Sequence, residues 1–342
     1  MGFRAVEGSR FVKSAVQAMS RSLLASDLMV VALGAIYIAA ILPFCPELAS
    51  RDQAFAILVN SAPLIVLTLG QLFVLSIGEI DLSVSGVAAI SSIAGGLIMS
   101  ADHGWRGASP DAAMSGLAAM LVVGLAVGTL QGLAVACLDA PAFLVTMASM
   151  TACSGAALWL TGSQRLANLP AEFTNFVHRD WWGAPAMLVI ALSLAAGVHL
   201  LFRRLVLGRE FLAVGMNRRA ARVSGVRVTR VIVMAFALSG LFTSIASALY
   251  TGRSETASPT FARELLLDAL GAAVIGGASL SGGRASAVGA VLGAIFITLV
   301  GNSLTLLNLD YWHVLMAKGA GILIAAFADA MRRRAVIAGG WA

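Results

Sequence analysis

The chain has 342 residues, 59% of them apolar and 12% charged, with a mean hydropathy of +0.90. No soluble domain of this size needs so much apolar surface, and the alternating strands that a membrane barrel requires are absent. The formal net charge is +6, but 15 of the 23 basic residues fall within residues 1–21, 203–230 and 332–334, a membrane-topology pattern and not a nucleic-acid surface.

The fold class these numbers predict is an all-α polytopic membrane protein. In chain order, residues 1–27 carry Arg4, Arg10, Lys13 and Arg21 and are expected to form a cytoplasmic leader. The apolar segment that follows lacks a small-residue cleavage site, so it reads as a retained first span. Spans are expected near 28–45, 54–77, 84–101, 112–138, 142–162 and 185–202, each a run approaching the roughly 20 apolar residues that cross a bilayer. Asp139-Ala140-Pro141 marks a tight turn. Residues 163–182 read as a polar loop in which Trp181 and Trp182 resemble an interfacial belt.

Residues 203–230 hold eight arginines and one acid, Glu210. A basic loop between apolar runs is expected on the cytoplasmic side. Phe211, Leu212, Val214, Ala220, Ala221 and Val223 recur there at roughly helical spacing, which predicts an amphipathic helix with an apolar face open to a partner. The bland alternative is a solvated connector. Four further spans are expected near 231–251, 265–283, 286–307 and 313–331. About ten transmembrane helices then form one domain over 28–331, with the 203–230 loop and a 332–342 tail both cytoplasmic, in agreement with the charge rule.

A weak internal repeat is legible as well. Ile77-Gly78, Leu82-Ser83, Ala89 and Gly95 match Ile275-Gly276, Leu280-Ser281, Ala287 and Gly293 at one offset. Paired Gly-interrupted apolar segments predict broken helices beside a substrate route. Glu79 and Asp81 interrupt the first of them. An Asp at the centre of a membrane helix costs about 2.5–3.5 kcal/mol, so it implies a partner, a wet cavity or a helix end. Asp81 or Ser83 is therefore read either as the cap of a helix or as lining of the translocation path. Asp268, one turn beyond Glu264, is open to the same two readings, interfacial pair or path. Lys318 either snorkels or pairs with an acid. Gly124, Gly128, Gly289 and Gly293 are expected at close helix contacts, with interhelical hydrogen bonds from Asn302 and Ser303. The cysteines show neither a disulfide framework nor ligand spacing, and no G-x-x-x-x-G-K-[ST], HExxH or CxxC sequence occurs. The chain is thus read as a non-enzyme without a metal or cofactor of its own. Energy for transport must then come from another subunit or an ion gradient.

Four stretches together resemble the permease subunits of bacterial ABC importers of the ribose and branched-chain amino acid type. They are GEIDLSVSG from Gly78, PAFLVTMASM from Pro141 with LTGS from Leu160, LGREFLAVGMNRRAARVSGVRV from Leu207, and LDALGAAVIGGASLSGGRASAVGAVLGA from Leu267. The match covers most of 28–330 and is closest to the monosaccharide branch. The resemblance implies an inner-membrane permease that moves a monosaccharide or related polyol by alternating access, with branched-chain amino acids or nucleosides as the alternative cargo. It implies a cytoplasmic ABC ATPase carrying ATP-Mg, a periplasmic solute-binding protein, and a second permease copy in a homodimer or homologous heterodimer. It also assigns contact with the ATPase to Gly208, Arg209, Gly215, Asn217, Ala220, Ala221, Arg222, Ser224 and Gly225. The sequence departs from the family pattern at Glu79, which adds a charge where glycine is usual. It departs again at Arg219, which replaces a common acid, and at Leu265–Leu267, which lose one. An ion-coupled carrier using Glu79, Asp81 and Asp268 is the competing class.

Overall fold

The computed structural model describes residues 28–101, 110–181, 183–262, 264–321, 323 and 327. The expected leader 1–27, the tail 332–342 and Trp182 lie outside them. The helices are α1 (Leu28–Ile41), α2 (Arg51–Ser76), α3 (Val84–Met99), α4 (Pro110–Cys137), α5 (Ala142–Thr161), α6 (Ala171–His178), α7 (Ala186–Arg204), α8 (Val206–Met216), α9 (Arg218–Val223), α10 (Val228–Ser254), α11 (Leu265–Ile275) and α12 (Ala287–Leu306). Residues 311–321 form a further helix, α13. Among the described residues, six helices are long and apolar enough to cross a membrane, and α1, α3 and α11 are shorter apolar helices.

The centre of the bundle is α2. Ser50 caps it, accepting from Gln53 N–H at 3.2 Å, and from Ser61 to Ser76 every residue is buried. A helix that is apolar all round needs covering on all sides, and α2 obtains it from α7, α10, α11 and α12. The other axis is the pairing of α4 with α10, which depends on missing side chains. A Cβ on Gly124 would lie 2.4 Å from Gly240 O, and one on Gly128 would lie 2.3 Å from Phe236 O. Gly293 and Gly289 play the same part at α11, the first facing Ala272 O and the second offering its carbonyl to Gly276. The small-residue reading of these four positions therefore holds. Ser303 also meets its expectation, sharing a 2.6 Å hydrogen bond with Tyr37 of α1.

Two spans are broken. The expected span at 265–283 is α11 alone, 11 residues or about 16 Å long. It stops because Gly276, Gly277 and the Ser-Leu-Ser-Gly-Gly run that follows neither favour a helix nor fill its sides. The chain re-enters helix only at Ala287. The matching segment behaves alike: α2 ends at Ser76, Gly78 has φ +79°, and α3 restarts at Val84 for 16 residues. Both copies of the sequence repeat are thus helix, glycine loop, helix. The 163–182 loop is more ordered than its polarity suggested. Pro170 opens α6, Asp180–Trp181 pairs antiparallel with Ala184–Pro185, and Leu166 pairs with Ala257.

Candidate functional site

The basic loop is a seated two-helix unit. Gly208 lets α8 turn back on α7, where a Cβ would meet Leu201 O at 2.2 Å. Asn217 ends α8 and starts α9: its side-chain oxygen accepts from Arg219 N–H and Ala220 N–H, both at 3.0 Å. Gly225, at φ +88°, turns the chain out of α9 after Ser224.

The apolar face of this unit is already occupied. Phe211, Val214 and Ala221 are buried, and Phe211 stands 5.8 Å from Phe73 and 6.2 Å from Phe202 between ring centres. The expectation that this face is open to a partner is corrected here. The unit spends its amphipathicity on its own bundle, because one face of α8 must cover the end of α2. Its exposed residues include Arg209, Met216, Arg218, Arg219, Ala220, Arg222, Val223 and Ser224, with Met216 at 77% and Val223 at 90%.

Under α8 lie both glycine loops. A Cβ on Gly215 would sit 2.0 Å from Ser76 O and 2.5 Å from Gly283 N, and Gly283 N–H itself donates to Ser76 O at 3.0 Å. A Cβ on Gly282 would likewise sit 2.7 Å from Gly78 N and 2.8 Å from Gly215 O. Three segments, the end of α2 with its loop, α8 and the second glycine loop, meet largely through backbone. Beside this joint Glu79 forms an ion pair with Arg218. The charge that departs from the family pattern is therefore matched by an arginine on the α9 side. The pair borders a cavity of about 250 Å³ that also touches Asp139 and Phe143 at the α4–α5 turn.

Asp81 stands where the sequence placed it, at the start of α3, and is 2% exposed. One carboxylate oxygen accepts from Ser83 N–H at 2.8 Å and from Ser83 Oγ at 2.5 Å. The other accepts from Ser239 Oγ of α10 at 2.7 Å, and Gln71 of α2 donates to the Asp81 carbonyl at 2.7 Å. Gln131 of α4 lies 3.2 Å from Ser83 Oγ. Three donors and the N-terminus of α3 face the carboxylate and offset part of its desolvation. Asp81 and Ser83 together thereby fasten four helices. Gln71 Oε1 and Gln131 Nε2 in this cluster have no protein partner among the described residues.

Asp268 is separate. It is 8% exposed on the first turn of α11 and accepts from Lys318 Nζ of α13 at 2.7 Å, which resolves Lys318 in favour of pairing. Among the described residues no hydrogen bond or ion pair joins this pair to the Asp81 cluster. Sequence reading missed Gln71, Gln131, Ser239 and the role of Arg218. The two glutamines, each alone in an apolar run, were the available signal. Ser239 is one serine among many and gave none.

A bundle of membrane-length helices, two half-length helices inside it, and a basic unit seated on the adjoining loops together define a transport permease. The chain belongs to the branched-chain amino acid transport system / permease component family, whose profile matches residues 53–326. It is 34% identical to the ribose import permease protein RbsC of Bacillus subtilis (strain 168), over 77% of this chain and 80% of that one. It is 28% identical to RbsC of Escherichia coli (strain K12), over 96% and 99%. It is also 30% identical to the autoinducer 2 import system permease protein LsrC of Escherichia coli O9:H4 (strain HS), over 76% and 74%. No solved structure matches it. The chain is a multi-pass membrane permease of the ribose-type ABC importer group, a transport subunit.

Proposed function

We propose that this chain imports a monosaccharide or related polyol across the inner membrane, powered by ATP-Mg hydrolysis on a separate cytoplasmic ABC ATPase. A periplasmic binding protein delivers the solute, and a second permease copy completes the lipid-embedded assembly. Both termini are cytoplasmic in this reading, on the evidence of where the basic residues cluster. The observation that carries it is the α8–α9 unit. Its apolar side is locked onto the ends of both broken segments while its outer side offers Met216, Val223 and several arginines. A partner pressing on that side acts directly on the loops that interrupt the spans. Gly208, Gly215, Asn217 and Gly225 shape the unit, Ala221 seats it, and Arg209, Ala220, Arg222 and Ser224 face outward. Asp81, Ser83 and Asp268 hold the helices that border the solute route.

The test is uptake into proteoliposomes holding the chain, its cognate ATPase and ATP, with the binding protein outside. Ribose, other pentoses and hexoses, autoinducer 2 and branched-chain amino acids are supplied in turn as labelled solutes. ATP-dependent uptake of a sugar is expected. Uptake by the chain alone under an ion gradient, or of amino acids only, would overturn the assignment.

A further inference from the structure

On the flank of the bundle, α4, α6, α7 and α10 leave an apolar groove of about 570 Å³. Leu117 and Leu121 of α4, Phe176 of α6, Ile190 of α7 and Ile245 of α10 line it. Glu172 of α6 is the one charged residue on its wall. The chain fixes its depth. Ile190 lies one turn into α7, whose other end feeds α8, and Ile245 lies in the half of α10 remote from α9. The groove therefore occupies the half of the membrane away from the α8–α9 unit. From Ala113 to Leu121 it follows α4 for about 12 Å, against about 15 Å for the hydrocarbon of one leaflet.

The short helix α6 sits over the polar end. A Cβ on Gly252, near the end of α10, would lie 2.4 Å from Val177 Cγ2 and 3.6 Å from Phe173 Cε1. On its open side the exposed Phe176 meets Trp181 edge-on at 5.4 Å, an aromatic pair of the kind found at headgroup level. Glu172 precedes Phe176 by one turn and is exposed at the groove mouth. Among the described residues it has no hydrogen bond or ion pair, so its carboxylate is free for a cation.

We propose that the groove holds one acyl chain of a phospholipid whose headgroup carries an ammonium. Its volume and its wall, apolar but for one acid at the mouth, are those of a small-molecule site. A protein partner needs a broad face of about 1,000 Å² or more, not a slot between helices. Glu172 receives the ammonium, whereas a headgroup of hydroxyls alone would bring net negative charge to the same carboxylate. Arg179, exposed where α6 ends two turns on, offers a cation to the phosphate. With α8–α9 cytoplasmic, as proposed above, the lipid belongs to the outer leaflet; the binding itself depends on neither orientation nor cargo.

The test is native mass spectrometry of the full-length chain released from detergent micelles. The chain is titrated with phosphatidylethanolamine or phosphatidylglycerol of identical acyl chains. One phosphatidylethanolamine per chain is expected, at a concentration at least tenfold below that needed for phosphatidylglycerol. Glu172→Gln should bring the two headgroups within twofold of each other. Leu117→Trp and Ile245→Trp, at half-buried positions on the wall, fill the groove and should weaken both lipids at least tenfold. Melting of each variant without lipid reports folding, and the exposed Glu172→Gln carries the test alone if the tryptophan variants do not fold. Equal retention of the two headgroups by the unmodified chain, or tight retention by both folded tryptophan variants, would overturn the proposal. Conversion of a dimer to monomers by the tryptophans, with lipid binding unchanged, would make the groove an interface between copies and overturn it as well.

Discussion

Gly215→Ala tests the backbone joint beneath α8. The added methyl would stand 2.0 Å from Ser76 O and 2.5 Å from Gly283 N, and neither is the flexible end of a side chain. Relief requires α8 to withdraw by about an ångström, since carbon–oxygen contacts below roughly 3 Å are not tolerated. Overpacking of this kind costs about 1–3 kcal/mol. Losing the Gly283–Ser76 hydrogen bond adds about 1 kcal/mol. Alanine recovers about 0.5–1 kcal/mol of helix preference, leaving a net loss of about 1–3 kcal/mol. At roughly 2–4 °C per kcal/mol, the melting temperature should fall by several degrees. Gly155→Ala on α5 is the control, because a Cβ there meets nothing within 4 Å. It should be neutral or slightly stabilising. Thermal unfolding of the purified chain in detergent, followed by a thiol-reactive dye reporting exposure of buried Cys45, measures both. Equal melting temperatures for the two variants would refute the contact argument.

Asp81→Asn should be destabilising by about 1–3 kcal/mol despite its shape, because an amide donor replaces an acceptor that three donors address; an unchanged melting curve would contradict this. Lys318→Ala strands Asp268 and should cost about 3–5 kcal/mol, most of it recovered by adding Asp268→Asn, as expression and thermal stability of single and double variants will show. Arg218→Ala should change stability by only about 0–1 kcal/mol, since Arg218 is 43% exposed. Its uptake defect should be repaired by the swap Glu79→Arg with Arg218→Glu, and failure of the swap would exclude the pair as a link. Val223→Asp, at a 90% exposed position, should leave folding intact and weaken ATPase association at least tenfold in a pull-down titration; wild-type association would move the docking face elsewhere.

The long apolar runs made the helices legible, since each must bury its whole backbone and most of its surface in one stretch. The two glycine interruptions were legible too, because Gly78 and Gly276–Gly277 stand where apolar periodicity lapses. The depth to which the spans break was not. It depends on where α3 and α11 find neighbours, and Gly86 on Met150 is a contact across 64 residues of sequence. The direction of the 203–230 face was misread for a related reason. Amphipathic spacing reveals that Phe211, Val214 and Ala221 share a side, but not whether the surface they meet belongs to this chain or to another. Likewise Glu79 was visible as an anomaly, while its answer, Arg218, was one arginine among eight until the fold brought the two together.

The joint beneath α8 has a mechanical consequence. Side chains ordinarily cushion a contact between helices, since rotamer changes absorb small displacements before the backbones feel them. Where Gly215 and Gly283 meet Ser76, and Gly282 meets Gly78 and Gly215, little such cushion exists beyond the Met216 side chain on Gly283, and packed backbone has low compressibility. A push on α8 therefore has little soft layer in which to be lost, and both loops move by nearly the same stroke. The ion pair of Glu79 and Arg218 at the same place is the opposite kind of element, two long flexible arms that hold the parts in register while permitting sway. A stiff bearing with a compliant tether beside it can transmit force in compression and still release without tearing.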